Sequence, residues 1–359
     1  MRSVNKMMRA ALSGTFLGGT ILGGAIAAPA FAQDAQRDYE DEPIVVTATL
    51  RAADVQDIPL AVTAVSPAQL EREGISDIKT LSSISPSFNI QSSQTETQGT
   101  SIRIRGIGTT GNNTGLESSV GVFIDGVYQS RPGVALGDLL DLERLEILRG
   151  PQGTLFGRNT SAGALNISTK KPNLSEVEGF ANASYGNYDY VNLQAGVSVP
   201  LAQDVAAFRL SGSFRNRDGY LKSSTGAESN DRDRWQLRGQ LYFEPSADIS
   251  LRLIGDYSKV TEHCCDAVIV RETELAPTFA FNGLANDGVD DSGPGALDRL
   301  NTNSQLFFNG AEQWGISGEL KWDLGGAQLT YIGSYRDFDS YSTAESDFTS
   351  LRIFTTGVG

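Results

Sequence analysis

One stretch restricts the fold of this chain more than any other: a short amphipathic strand that leads directly into a glycine-dense turn. Between residues 142 and 148, leucine and isoleucine alternate with glutamate and arginine, which predicts a strand with one apolar face. The turn at 149–153 and the small-residue run at 157–168 contain glycines that allow positive φ or a close approach to another surface. The stretch therefore predicts a compact, turn-rich β element packed against something larger.

A phosphate-binding loop is the alternative explanation of such a turn, and the spacing argues against it. Gly153 and Gly157 stand too close together, and no Lys-Ser or Lys-Thr pair follows them. The sequence also has no evident nucleophile–base pair, and its single histidine, His263, is isolated. The residues therefore do not support an enzyme.

Charge and glycine content narrow the class of the chain. A formal net charge of -14 disfavours a nucleic-acid partner. With 39 glycines and 20% charged residues, the composition favours many short β segments joined by glycine-rich turns. After the first thirty residues no apolar run approaches the ~20 residues of a membrane helix, although membrane-spanning strands give a weaker, alternating signal.

Residues 1–32 have the pattern of a cleaved export signal. Arg2, Lys6 and Arg9 precede an apolar, Gly/Ala-rich core, and residues 30–32 (Ala-Phe-Ala) supply a cleavage site. The mature chain is then predicted to begin at Gln33. An N-terminal anchor helix is the alternative, and the glycines that interrupt the core argue against it.

A β-branched run at residues 43–49 follows an acidic segment, 33–42, for which we predict disorder. The run is short, follows Pro43 and lies near a free end of the chain. Its backbone is therefore suited to pairing with an exposed sheet edge of a partner. The alternative is that it forms the first strand of the following domain.

From residue 57 to residue 142 the pattern is mixed α and β. Strands are predicted where apolar residues alternate, at 58–65, 101–106 and 120–128. Helices are predicted from caps and stop signals at 66–74 and 78–84, and a further short one at 134–142. The polar, glycine-rich intervals 91–100 and 108–119 are predicted to be loops.

Beyond Pro172 apolar and polar residues alternate strictly. The alternating segments are 191–199, 208–215, 235–243, 249–257, 314–322 and 329–335. They are about ten residues long and carry aromatic residues near their ends, and short connections (200–204, 244–248, 324–326) alternate with long ones (216–232, 260–312). These features are typical of a membrane-spanning antiparallel barrel; a soluble β-sandwich, which also alternates, is the alternative.

Two motifs in this order resemble the plug domain of TonB-dependent outer-membrane receptors. The first is the strand-turn Glu-Arg-Leu-Glu-Ile-Leu-Arg-Gly-Pro at 143–151, and the second is the run at 157–167 that ends in Ala-Leu-Asn-Ile. The preceding Asp-Ile-Pro, Arg-Ile-Arg-Gly and Val-Phe-Ile-Asp-Gly-Val-Tyr segments follow the same order. The resemblance implies an α+β plug domain followed by the first strands of a membrane-spanning antiparallel β-barrel, which has 22 strands in the full family fold.

The resemblance also implies a domain plan and a function. It divides the chain into a signal peptide (1–32), a disordered periplasmic segment with a TonB box (33–53), a plug domain (54–171) and the N-terminal part of the barrel (172–359). The implied function is active import of a ferric siderophore or other iron complex, with cobalamin, haem, an oligosaccharide or an aromatic compound as alternatives. Since seven or eight strands fall far short of 22, we expect an N-terminal fragment of a longer receptor.

Partners and location follow from the same resemblance. The expected partners are the periplasmic C-terminal domain of TonB with its inner-membrane energising complex, the lipid of the outer membrane, and a small-molecule ligand such as an iron chelate. No nucleic acid and no cofactor are expected. The expected location is the outer membrane of a Gram-negative bacterium.

Candidate site residues fall into three groups. The TonB box is placed at Ile44, Val45, Val46, Thr47 and Ala48. Plug seating or gating is assigned to Arg103, Arg105, Gly106, Asp125, Arg149, Gly150 and Pro151, with the three arginines expected to pair with barrel carboxylates. Ligand contacts are assigned to the polar loops through Gln94, Thr97, Gln98, Thr110, Asn112 and Asn113, for which a mobile loop without such a role is the alternative.

The long interval 260–312 contains both cysteines of the chain, Cys264 and Cys265. In an exported protein these are predicted to form a disulfide, either with each other or with cysteines later in a longer chain. A metal site formed with His263 and Asp266 is the alternative. It is disfavoured because adjacent residues cannot easily all reach one ion.

A passive porin and a signal-transducing receptor are the rival functions. A passive porin would have no need of the plug-like region 43–170. A signal-transducing receptor would carry an extra domain between the signal and the TonB box, where only residues 33–42 stand.

Overall fold

The computed structural model of the protein describes residues 45–47, 53–75, 78–92, 96, 100–109, 116–131, 133, 139–223, 227–266, 299–301, 307–345 and 355–358. The predicted signal peptide and the acidic segment after it lie outside these residues. None of the described helices is long and apolar enough to cross a bilayer.

The N-terminal half of the described chain is a small α+β domain. Its strands are β1 Val45–Val46, β2 Ala53–Asp54, β3 Ala61–Val65, β4 Phe88–Ser92, β5 Thr100–Ile104, β6 Val120–Ile124, β7 Val127–Tyr128, β8 Leu142–Arg149 and β9 Gly163–Thr169. Its helices are α1 Pro67–Arg72, a 3-10 helix at Ile78–Ser83, and the single turn α2 Gly153–Phe156. The central sheet has the order β3-β8-β9-β6-β7, and β6 and β9 are its parallel pair.

Hydrophobic clusters cover this sheet on both faces. Leu145 and Ile147 of β8 belong to one cluster, and Leu148 belongs to a second cluster with Val46 and Phe123. Strand β8 is therefore buried on both sides, whereas its alternating pattern predicted one apolar face. The consequence is that Glu146, on the second face, is fully buried.

The C-terminal half forms one long antiparallel sheet. In sheet order its strands are β10 Glu178–Gly186, β11 Tyr190–Ala202, β12 Ala206–Arg217, β15 Arg232–Ser246, β16 Ile249–Glu262, β18 Phe308–Asp323, β19 Gln328–Glu345 and β20 Thr355–Val358. All of the alternating segments predicted from the sequence lie within these strands. The predicted short connections are tight turns.

The two faces of this sheet have opposite chemistry. The apolar side chains stand on the outer face, where Leu237, Leu241 and Leu253 are each 46% exposed. The arginines of these strands stand on the inner face against the plug, and Arg209 there is 1% exposed. This apolar-outside, polar-inside arrangement is that of a membrane-spanning barrel wall and the reverse of a soluble sandwich.

The structure differs from the sequence predictions at three places. The helix predicted at 134–142 does not extend to its end, because Leu142 begins β8; residues 134–138 lie outside the described residues. The long interval 216–232 contains a small hairpin, β13 Leu221–Ser223 with β14 Glu228–Ser229, and β13 also pairs with β17 Leu300–Asn301. The segment predicted as disordered, 33–53, contributes β1, which pairs with β2.

Candidate functional site

Buried ion pairs join the small α+β domain, the predicted plug, to the inner face of the long sheet, and we call these contacts seats. The guanidinium of Arg209 donates two hydrogen bonds of 2.6 Å to the carboxylate of Asp141, which precedes β8. Its Nη1 donates a third, at 2.8 Å, to Glu178 of β10. Both Arg209 and Asp141 are more than nine-tenths buried, so each charge depends on the other for its solvation.

A second seat lies at the turn between β6 and β7. Arg252 of β16 contacts Asp125 at 3.1 Å and donates to the carbonyl and hydroxyl oxygens of Thr169 at 3.0 and 2.8 Å. Asp125 also accepts hydrogen bonds from the backbone N–H and hydroxyl of Thr169. Gly126, with φ of +77°, completes this turn close to Ile332 of β19.

The sequence prediction about these seats was wrong, because the positive and negative partners are exchanged between plug and wall. We expected Arg103, Arg105 and Arg149 of the plug to pair with carboxylates of the barrel wall. Instead, at these two seats the plug supplies the carboxylates, Asp141 and Asp125, and the wall supplies the arginines, Arg209 and Arg252. Arg149 donates to the backbone carbonyls of Ala61 and Val62, because β3 pairs with β8 and brings these residues beside it.

The other residues assigned to seating lie within the plug, in strand β5 and in two turns. Arg103 is half-buried, and Arg105 is exposed with φ of +54° beside Gly106 with φ of +78°. Neither arginine makes an ion pair with a described residue. Gly150, with φ of +91°, and Pro151 form the turn after β8, where the positive φ requires glycine.

The predicted TonB box is part of the plug fold where it is described. Val45 and Val46 pair with Asp54 and Ala53 in an antiparallel ladder, and the Val46 side chain is fully buried against Leu148. Ile44 and Ala48 lie outside the described residues. Val45 and Val46 therefore form the first strand of the plug in this structure, as the alternative prediction for this run states.

The carboxylate of Glu146 secures this segment. Its Oε1 accepts hydrogen bonds from the backbone N–H and the hydroxyl of Thr47, at 2.6 and 3.1 Å. Asn166 donates to its Oε2 at 3.1 Å, and the Nε of Arg144 lies 2.8 Å from Oε1. One buried carboxylate thus connects Thr47 to both β8 and β9.

A third charged cluster lies where strands β15 and β16 meet their long connections. Glu96, between β4 and β5 of the plug, accepts from Arg232 at 2.6 Å and from Arg234 at 3.0 Å, and it also contacts Lys79. Glu262 of β16 accepts from the same two arginines. Burial raises the pKa of Glu96, but the neighbouring cations Arg232, Arg234 and Lys79 outweigh burial and hold that pKa well below its usual range.

Glu96 was not among the predicted site residues, although the loop that contains it was predicted to contact ligand. The residues chosen in that loop and in the next, Gln94, Thr97, Gln98, Thr110, Asn112 and Asn113, all lie outside the described residues. A single acid within a polar loop, opposite a strand that begins Arg-Asp-Arg, was the available signal.

Beside this cluster, the segment that precedes β15 is hydrogen-bonded to the segment that follows β16. His263 lies 3.0 Å from Asp231 through its Nδ1, and Asn230 exchanges hydrogen bonds with the backbone of Asp266. The hydrogen bond that the His263 ring donates to Asp231 raises the pKa of His263, against the opposing effect of burial.

The cysteines complete this region. The sulfurs of Cys264 and Cys265 are bonded to each other, so the disulfide joins neighbours in this structure. A carboxylate oxygen of Glu96 lies within 4.8 Å of both sulfurs. Bonded sulfurs are not thiolate ligands, and Glu96 already faces three cations, so this arrangement does not suit a cation.

The fold and the ion pairs between its two parts together define a class: a membrane barrel wall whose inner face is covered by a plug domain. Residues 54–164 match the family model of the TonB-dependent receptor plug domain. Within that range the chain carries a TonB-dependent receptor plug domain, and beyond it the chain is similar to TonB-dependent outer-membrane receptors.

Two curated relatives match part of the chain. The pesticin receptor of Yersinia pestis is 28% identical over 176 residues, which are 48% of this chain and 25% of the relative. The iron-regulated outer membrane virulence protein of Vibrio cholerae is 32% identical over 154 residues, 40% of this chain and 22% of the relative. The matches thus span about a quarter of the length of these curated relatives.

Solved structures show the same fold. The ferric yersiniabactin uptake receptor from Yersinia pestis aligns with a TM-score of 0.66 at 18% identity, covering 80% of this chain and 42% of that one. The siderophore receptor from Acinetobacter baumannii aligns with a TM-score of 0.62 at 14% identity, covering 83% and 38%. The expected α+β plug followed by antiparallel barrel strands is therefore confirmed.

Proposed function

We propose that this chain is the plug and adjoining barrel wall of a transporter that imports a scarce ligand, a ferric siderophore or another iron complex, across the outer membrane with energy delivered through TonB. The observation that carries the proposal is the seating of the plug on the inner wall through the buried pairs of Arg209 with Asp141 and Arg252 with Asp125. An obstruction held this way opens only when work is done on it. A passive porin needs no such obstruction.

The choice of an iron complex is supported by the relatives. The names of the Yersinia pestis structure and the Vibrio cholerae relative refer to ferric yersiniabactin uptake and to iron regulation. Cobalamin, haem, oligosaccharides and aromatic compounds are the alternative cargoes. The iron is cargo in this proposal and not a resident cofactor.

The proposed partner of the plug is the periplasmic C-terminal domain of TonB, which would pair with residues 44–48 by β-augmentation. The pairing of β1 with β2 and the hydrogen bonds of Thr47 to Glu146 connect that segment to the plug core. A pull on the segment therefore acts on β8 and β9. The exposed leucines of the outer face suit contact with membrane lipid, in keeping with an exported outer-membrane protein.

The test is uptake of radioactively labelled ferric chelates by cells that carry or lack this gene, in backgrounds with and without TonB. We expect accumulation of at least one chelate to require both the gene and TonB. Accumulation that needs the gene and continues without TonB would establish a passive pore and overturn the proposal. If no iron chelate shows gene-dependent uptake while another class of cargo does, iron complexes are excluded as the cargo.

A further inference from the structure

The disulfide lies between two anchored residues of the segment that follows β16. His263 precedes Cys264 and Asp266 follows Cys265, and both flanking residues are hydrogen-bonded to residues 229–231, which precede β15. We call these hydrogen bonds the clamp. The bond between the two cysteines therefore lies at the centre of a contact between segments that are 32 to 36 positions apart in sequence.

Asn230 bonds to the chain on both sides of the disulfide. Its backbone N–H donates to the carbonyl of His263 at 2.5 Å. Its side-chain amide donates to the carbonyl of Asp266 and accepts from the N–H of that residue, both at 2.9 Å. Asn230 does this with a φ of +61°, a conformation that asparagine tolerates better than most residues. Because one residue holds both ends, the spacing between positions 263 and 266 has to suit it.

The disulfide restricts that spacing. A bond between adjacent residues closes a small ring through their own backbone, which removes much of the torsional freedom of residues 264 and 265. It joins no distant parts of the chain, and a cross-link that closes so short a loop restricts the unfolded chain least. Its effect on the protein is therefore local, on the segment that Asn230 holds.

We propose that Cys264 and Cys265 form a site of thiol–disulfide exchange, at which a small-molecule thiol opens the clamp by reducing their bond. Cys264 is 3% exposed and Cys265 is half-buried, so the attacking thiolate reaches the Cys265 sulfur. The Cys264 sulfur leaves and takes up a proton. A second thiolate attacks the small thiol's sulfur in the mixed disulfide and releases Cys265, which is protonated in turn. Two small thiols thus become one disulfide, and the protein gains two cysteine thiols.

Reduction changes the balance of free energy in the clamp. Residues 264 and 265 regain their torsional freedom, and the hydrogen bonds of the clamp then have to order them. A carboxylate oxygen of Glu96 lies within 4.8 Å of both sulfurs, and a reduced cysteine can donate its S–H to that carboxylate. The clamp therefore opens in the reduced protein. The buried seats of the plug contain none of these groups and stay in place.

The experiment measures amide hydrogen exchange in the full-length receptor purified from outer membranes, before and after treatment with glutathione at a single pH. Alkylation followed by peptide mass measurement shows whether thiols appear at residues 264 and 265. We expect both thiols to appear and exchange to become about tenfold faster or more at 229–231 and 263–266, since hydrogen bonds of the clamp open. Exchange at 142–149 and 163–169, in central strands of the plug, should not change. This comparison needs no variant, so it holds even where a substitution prevents folding.

Variants then test the route from the disulfide to the clamp. Cys264→Ser/Cys265→Ser should exchange as fast as the reduced protein with or without glutathione, and it controls for any other cysteines of the full-length receptor. Asn230→Gly removes the side-chain amide and keeps positive φ accessible. It should exchange fast even when oxidised, and reduction should add little. The matched control is Asn159→Gly, at an asparagine with φ of +65° in a turn of the plug, which should leave the clamp and its response to glutathione unchanged.

Each other outcome overturns the proposal. If glutathione releases no thiol at residues 264 and 265, the pair is not a site of exchange. If thiols appear without faster exchange in the clamp, the disulfide does not control it. If exchange rises equally at 142–149, reduction destabilises the protein as a whole. If reduction accelerates exchange as much in Asn230→Gly as in the unchanged protein, the disulfide does not act through Asn230.

Discussion

The backbone N–H of Thr47 donates a 2.6 Å hydrogen bond to the carboxylate of Glu146, which lies 99 positions further along the chain. The contact ties the segment proposed to recruit TonB to a central strand of the plug. Glu146 is fully buried and also accepts from Asn166, so its partners would lack an acceptor without it.

Replacement of this carboxylate should loosen the segment. Glu146→Ala leaves the Thr47 and Asn166 donors unpaired, at a cost of about 1–3 kcal/mol for each buried group. We expect faster amide hydrogen exchange at residues 45–47 and stronger cross-linking to the TonB C-terminal domain. Glu143→Ala, at an exposed position of the same strand, is the control. Equal exchange in both variants would show that Glu146 does not hold the segment.

Two proline substitutions separate the roles of strand β1. Val45→Pro and Ala53→Pro disrupt the same strand pair from opposite sides, since proline lacks an N–H and restricts φ. If residues 44–48 recruit TonB, chelate uptake should fall sharply in Val45→Pro and persist in Ala53→Pro. Equal loss in the two variants would mean that the segment matters only as a strand of the plug.

The Arg209 seat should show the energetics of a buried pair. Arg209→Met leaves the Asp141 charge buried without its cation, and we expect a loss of about 3–5 kcal/mol in stability. The double variant Arg209→Met/Asp141→Asn should recover much of that loss. Denaturant unfolding of the four proteins forms a double-mutant cycle. Additive losses would show that the two charges do not depend on each other.

The loops beside Arg232 and Glu262 should loosen as pH rises. The pKa of His263 is raised in the fold by Asp231, so the pair contributes stability that is fully present below the ordinary histidine pKa and is lost as pH rises through the raised value. Limited proteolysis of segments 218–223 and 227–231 should accelerate across that interval. Asp231→Asn should abolish the pH dependence. A persistent dependence in that variant would assign it to another group.

Gly126 should tolerate no side chain. Its φ is +77°, and a Cβ there would lie 2.6 Å from the Cδ1 of Ile332 on β19. Gly126→Ala should therefore weaken the Arg252 seat next to it, as a lower unfolding midpoint. The control is Gly153→Ala, where a Cβ meets nothing within 4 Å. Equal midpoints in the two variants would contradict this account.

Local pattern was sufficient for the elements and the class of this protein. Alternation with a period of two located six strands of the long sheet, β11, β12, β15, β16, β18 and β19, because side chains of a wall with an apolar and a polar face must alternate along each strand. The strand-turn at 143–151 and the run at 157–167 indicated the plug, since their glycines and apolar residues meet local backbone demands. The sequence by itself thus determined where most of the strands and turns lie and that residues 54–164 form a plug domain.

Only the tertiary structure decided which charges meet. Arg149 lies beside carbonyls of β3 and not beside a wall carboxylate, because the pairing of β3 with β8 places it next to Ala61 and Val62. Arg209 meets Asp141 across 68 positions, and Glu96 meets Arg234 across 138. Sheet register and plug docking bring such residues together, and both arise from packing over the whole chain. A residue's own neighbours in sequence therefore could not specify its partner.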